Sequence, residues 1–142
     1  MITRRTVHLP ANREAIWAIV GDPHHEPRWW PLTNRVEGVT KRGWTSVATS
    51  SRGNQVRTDW TLVLSETPTR RRWAQEIEGT PFERIFVRNE REIQLERLDD
   101  GTRVTLLFDQ KARGLANYLP FMLKRAMKRQ IDQALAGLAE LF

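Results

Sequence analysis

The chain opens on an alternating pattern. In "ITRRTVHL", Val7 and Leu9 fall on one side and Arg4, Thr6 and His8 on the other, the period of a half-buried strand. Pro10 ends it, and apolar positions then recur at helical spacing. In "ANREAIWAIVGD", Asn12 stands where a cap is needed, Ile16, Trp17, Ile19 and Val20 form one face, and Gly21 stops the helix. The following "GDPHHEPRWWPL", residues 21–32, is interrupted by Pro23, Pro27 and Pro31 and allows at most a short helical turn, yet it carries two histidines and two tryptophans.

From Asn34 to Lys111 the signals are nearly all strand: "RVEGVTK", "WTSVATSS", "VRTDWTLVLSE", "RRWAQEIEG", "ERIFVRNEREIQLERL" and "TRVTLLFDQK". Short turn sequences such as "SRGNQ" and "DDG" join them, so the pattern predicts six consecutive antiparallel strands. Alternation assigns an inner face of Val47 and Thr49; Thr58, Trp60, Leu62 and Leu64; and Trp73, Gln75 and Ile77. The later strands continue it with Ile85, Val87, Arg91, Ile93 and Leu95, then Val104, Leu106 and Phe108. A single bulge in the long strand would exchange its faces.

Residues 115–141 read as one long helix. Stepping about 100° per residue from Leu119 gathers Met122, Leu123, Ala126, Met127, Ile131, Ala134, Leu138 and Leu141 on one side. Lys124, Arg125, Lys128, Arg129 and Asp132 fall on the other, and Pro120 marks a first turn or a kink. A strongly curved antiparallel sheet cannot fill its own concavity, and this helix is the only element long enough to lie across it. The expected fold is therefore α+β, one domain over residues 1–142: a seven-stranded sheet in the order β-α-α-β6-α, gripping the C-terminal helix with a pocket between them.

Composition removes several classes of function. With no cysteine among 142 residues, neither disulfides nor thiol chemistry contribute. No apolar run approaches a membrane span, and "MITRRTVHLP" is not followed by an apolar signal core, so a soluble cytoplasmic protein without stable membrane insertion is expected. The net charge of +6 raises the question of nucleic acid, but it divides as +4 over residues 1–60, −1 over 61–112 and +3 over 113–142. Spread in this way it is no specific nucleic-acid footprint. The basic face of the last helix reads as a solvated surface rather than a membrane contact.

No nucleophile elbow, phosphate loop or paired-histidine helix is present, and no catalytic residue is assigned. His24 and His25 are adjacent and lack a spaced set of partners, so neither a metal nor a cofactor is expected. What remains is the gap between sheet and helix. Trp60, Trp73, Thr58, Ile93 and Phe108 are expected to line it from the sheet, and Met122, Leu123, Ala126 and Met127 from the helix. Side chains at neighbouring positions diverge, so of Trp29 and Trp30 one should anchor the core while the other borders the opening. Gln75, Arg91 and Gln130 place polar groups on inward positions. Either they bond to one another, to Thr58 or to water, or they orient a ligand carbonyl or carboxylate in an apolar pocket.

"HLPANREAIWAIVGDPHHEPRWWP", "DDGTRVTLLF" and "LKRAMKRQIDQALAGLAELF" together resemble the START-like, or SRPBCC, superfamily. That superfamily includes the bacterial polyketide cyclase/dehydrase and lipid-transport group and the Bet v 1-like plant proteins. The resemblance covers essentially the whole chain and implies a helix-grip fold with a deep pocket. It also implies a role as carrier or sensor of an apolar small molecule, lipid-like or polycyclic. The alternatives it leaves are an aromatase/cyclase or dehydratase on the same scaffold, and a protein-binding module of the co-chaperone type.

Overall fold

Each alternating segment becomes a strand of one antiparallel sheet. The structure, a computed structural model, describes residues 1–114 and 120–142. The strands are β1 (Ile2–Leu9), β2 (Thr33–Glu37), β3 (Gly43–Thr49), β4 (Gln55–Glu66), β5 (Arg70–Gln75), β6 (Phe86–Leu98) and β7 (Gly101–Ala112). Their spatial order, β1-β7-β6-β5-β4-β3-β2, makes β2 to β7 a meander that β1 completes at the β7 edge. Between β1 and β2 lie α1 (Arg13–Val20), a 3-10 turn (Pro23–His25) and the four-residue α2 (Glu26–Trp29); α3 (Pro120–Ala139) closes the chain. The fold is the expected helix grip. Residues 115–119 of the expected last helix, Leu119 among them, lie outside the described residues.

Local chemistry sets the first connection. The Asn12 side chain accepts from the Ala15 N–H at 2.8 Å and starts α1, as a cap must. Asp22 does the same for the 3-10 turn, accepting from the His24 N–H at 3.0 Å. Pro23 is the first residue of the 3-10 turn and Pro27 the second of α2, where a missing N–H leaves no helix hydrogen bond unmade.

Register fixes the inner face, because residues opposite each other on paired strands share a side. Trp44 pairs Trp60, Trp60 pairs Gln75, Trp73 pairs Arg91, Arg91 pairs Phe108, and Phe108 pairs Thr3. Three sequence expectations are corrected by it. On β4 a register shift between Leu62 and Leu64 sets Leu64 opposite Arg72, on the outer face. On β3 the inward residues are Trp44 and Ser46, not Val47 and Thr49. Val47 is buried outside the main core, between its pairing partners Arg35 and Arg57, and Thr49 is exposed. Near the start of β6, Ile85 and Val87 are exposed while Phe86 is buried, because a register shift between Phe86 and Arg88 exchanges the faces there.

α3 packs on β1, β7 and α2 through Ile131, Ala134, Leu135 and Leu138. At Gly137 an added Cβ would stand 2.5 Å from the Trp29 carbonyl oxygen, so α2 and α3 approach there closer than any side chain allows.

The outer face of the sheet carries an ion network. Arg72 donates to Glu90 at 2.8 Å, Glu92 at 3.3 Å and Asp109 at 2.9 Å, while Arg88 and Arg70 bind Asp109 and Glu92 from either side. Burial pushes the Asp109 and Glu92 carboxyls up, but these hydrogen bonds and charges outweigh it and hold both below the ordinary carboxylate range. A carboxyl lowered in the folded state stabilises above its unfolded pKa, and that contribution fades as pH falls through the folded value. Arg72→Met should therefore cost about 1–2 kcal/mol at pH 7, a loss that shrinks well below pH ~4. Urea unfolding of both proteins at pH 7 and pH 3 checks it. An equal gap at the two pH values would mean that Arg72 acts through packing alone.

Candidate functional site

The interior of the grip is built from rings and cations. Trp29 and Trp30 are both 5% exposed, so the expectation that one borders the opening is corrected. The divergence of neighbouring side chains holds within one regular element, but the backbone changes here. Trp29 ends α2, and Trp30 turns to an extended conformation at φ −81° and ψ 127°. Both rings thereby reach one core, edge to face with centroids 5.2 Å apart. Trp30 also stacks on Phe108 at 5.8 Å and meets Trp73 edge-on at 6.4 Å. Trp60, Trp73 and Ile93 are buried in the same cluster.

Arg91 lies inside this cage. Its guanidinium carbon stands 4.2 Å from the Trp30 centroid, 4.3 Å from Trp60 and 5.0 Å from Phe108, a cation held over three rings. The residue is 9% exposed, and Nε has no hydrogen-bond partner. Burial pushes its pKa down to about 9, with the Glu26 charge opposing, so it is still charged at neutral pH.

Arg71 repeats the arrangement one step along, 4.7 Å from the Trp44 ring and 5.1 Å from Trp73, and donates to the Val20 carbonyl at 3.2 Å. Burial takes its pKa down to about 10, opposed by the charges of Glu26 and Asp22. Glu26, in the first turn of α2, is buried too. It accepts from Trp44 Nε1 at 3.2 Å, from the Thr33 hydroxyl at 3.0 Å and from the Ser46 hydroxyl.

Gln75 bonds neither Arg91 nor Thr58. Its Oε1 accepts from Asn89 Nδ2 at 2.8 Å, and Asn89 Oδ1 accepts from Gln110 Nε2 at 2.9 Å. Gln110 Nε2 also lies 2.9 Å from the Met127 sulfur. Thr58 is half-buried opposite Ser46.

The helix side differs from its sequence reading. Leu123, Met127 and Gln130 are half-buried, but Met122 is 63% exposed and Ala126 is exposed as well. The wheel put them on the apolar side, but at about 100° per residue they fall more than ~120° from the centre of the face that Ile131, Ala134, Leu135 and Leu138 bury. The buried residues of α3 all lie in its second half, which packs on β1 and α2, while Met122 and Ala126 in the first half border an open groove. The groove encloses about 650 Å³ between Leu32 and α3, lined by Phe121, Met122, Ala126, Met127 and Gln130, with Arg125 and Arg129 at its border.

Sequence reasoning missed Glu26, Trp44, Arg71, Asn89 and Gln110. Three of them carried a signal, since each sits two residues along its strand from a residue read as inward: Arg71 from Trp73, Asn89 from Arg91 and Gln110 from Phe108; on β3 the reading of Val47 and Thr49 as inward put Trp44 on the wrong face. Glu26 had none, because it lies in a proline-broken segment with no period to read.

With this geometry in place, the comparisons define the class. Residues 2–142 match the family described as polyketide cyclase/dehydrase and lipid transport, and the chain belongs to that family. No curated protein sequence matches it. Among solved structures it is similar to the di-domain ARO/CYC BexL from the BE-7585A biosynthetic pathway (TM-score 0.79, 12% identity), covering 99% of this chain and 49% of that one. It is also similar to TTHA0849 from Thermus thermophilus (0.78, 20%, covering 99% and 95%). A third likeness is to a START superfamily protein from Mycobacterium smegmatis (0.75, 15%, covering 98% and 94%). At these identities the likeness establishes the fold alone. Family membership supports a ligand-binding or cyclase role without dividing the two. No helix among the described residues is long and apolar enough to cross a membrane.

Proposed function

We propose that the protein binds an apolar small molecule, lipid-like or polycyclic, as a carrier or sensor. The observation that carries this reading is the groove of about 650 Å³ between Leu32 and the first half of α3, a volume suited to one small ligand. It opens beside Leu32 and Phe121, large apolar side chains 71% and 76% exposed. Such a patch on a soluble fold needs a reason, and an apolar ligand supplies one. Binding is favoured over acid–base catalysis by the state of the buried carboxylate. Glu26 already accepts three hydrogen bonds, which leaves it poorly placed to take a proton from a substrate.

Titrating the purified chain with dodecanol while following tryptophan emission tests the reading, since Trp30 is two residues from the groove wall at Leu32. A saturable change is expected, and the absence of binding by calorimetry as well would overturn it. Gln130 gives a second check. It lines the groove and makes no side-chain hydrogen bond among the described residues. Gln130→Leu should leave stability within about 0.5 kcal/mol while strengthening dodecanol binding. A large stability loss with unchanged binding would show instead a structural role for this amide.

A further inference from the structure

We infer that the ligand carries a carboxylate and that Arg91 receives it. This rests on the binding reading above and adds the chemistry of the head group.

Charge inside the grip does not balance. Among the described residues, Arg71, Arg91 and Glu26 are the buried ionised side chains on this side of the sheet, which leaves one positive charge in excess. The fourth buried charge, Glu92, belongs to the network on the outer face. The two arginines are not equally served. Arg71 has a carbonyl to donate to, whereas Arg91 has neither a hydrogen bond from Nε nor a carboxylate within ion-pair distance among the described residues.

The rings around Arg91 do not replace such a partner. Aromatic stacking satisfies the faces of a guanidinium, and its N–H groups lie in the plane, along the edge. A carboxylate meets that edge with two oxygens in matching geometry. The surroundings point the same way. Trp60 Nε1, Trp73 Nε1 and Gln75 Nε2 are buried donors without a partner, against one such acceptor, Gln110 Oε1. A wall this rich in donors is complementary to oxygen atoms, and its excess charge favours an anionic oxygen over a neutral carbonyl.

The groove adjoins this wall at two points. Met127 lines the groove and touches Gln110, the end of the chain that runs through Asn89 to Gln75. Trp30, which covers one face of Arg91, is joined through Pro31 to Leu32 of the groove wall. Met127 stands between the two, so the head of a tail held in the groove reaches the cage only by passing Met127.

Calorimetric titration of the intact chain at pH 7.5 with dodecanoate, dodecanol and methyl dodecanoate, equal in chain length, separates the claims. Dodecanoate should bind about tenfold or more tightly than either neutral probe. Arg91→Met, which keeps an apolar side chain of similar reach, should abolish that preference, so that dodecanoate and dodecanol bind this variant alike. Equal binding of all three probes overturns the carboxylate inference and leaves the binding reading intact. Binding of none overturns both. A preference that survives Arg91→Met and disappears in the Arg125→Gln, Arg129→Gln double variant would place the head group at the groove border and overturn the role of Arg91. If Arg91→Met fails to fold, the Arg125→Gln, Arg129→Gln double variant still decides, because a preference for dodecanoate that survives it does not come from the groove border.

Discussion

Replacing Trp30 with alanine is expected to cost the fold about 3–5 kcal/mol, the range for deleting a large buried ring. The ring lies against Trp29, Trp73, Phe108 and the Arg91 guanidinium, so its removal opens a cavity and strips one face from a buried cation at once. Trp29→Ala should fall in the same range, because Trp29 seals α2 onto α3 where Gly137 permits backbone contact. Chemical denaturation followed by circular dichroism measures both. Trp30→Phe should recover about half of the alanine loss or more, since it restores the stacked contact with Phe108 and Arg91. If Trp30→Ala stays within about 1 kcal/mol of the parent protein, the ring belongs to the rim of the opening, as the sequence pattern had it.

That contrast shows where sequence periodicity stops being informative. Within β4, β5 and β7 the alternation placed Trp60, Trp73, Gln75 and Phe108 on the inner face, and register places them there. A continuous strand repeats one geometry, and a period of two can be read from any part of it. Where the geometry changes, the reading failed. The shift at the start of β6 reversed Ile85 and Val87, and the turn from helical Trp29 to extended Trp30 brought both rings inward. The α3 wheel was rotated from the true contact face, taking in Met122 and Ala126 and leaving out the buried Leu135. Apolar residues spread round much of the first half leave the buried direction open until the neighbouring elements are known.

Arg71 and Arg91 illustrate a different difficulty. Arginine on an inward position is ordinarily a sign of misread register, because burying its charge is expensive. Here the tryptophans that made the segment apolar are also what make the arginines tolerable, through the four contacts from Trp30, Trp60, Trp44 and Trp73. Composition counts six tryptophans and nineteen arginines without showing that four of the first hold two of the second. Their shared opposing charge comes from Glu26, distant from both strands in sequence, with Asp22 adding to it at Arg71.

Glu26→Ala should accordingly be the other severe substitution, losing about 3–5 kcal/mol. Two separable losses contribute. The buried donors of Thr33, Trp44 and Ser46 are orphaned, and Arg71 and Arg91 lose their opposing charge. Glu26→Gln retains an acceptor oxygen but no charge, so it should fall between, at about 1–3 kcal/mol. A double-mutant cycle with Arg91→Met isolates the charge contribution. If Glu26 stabilises the buried cation, Glu26→Gln must cost less when residue 91 carries no charge, by about 0.5 kcal/mol or more. Urea unfolding of the parent, both single variants and the double variant gives that difference directly. Strict additivity would mean that the Glu26 charge does not stabilise Arg91, so that its three hydrogen bonds and its hold on Arg71 account for its place in the core.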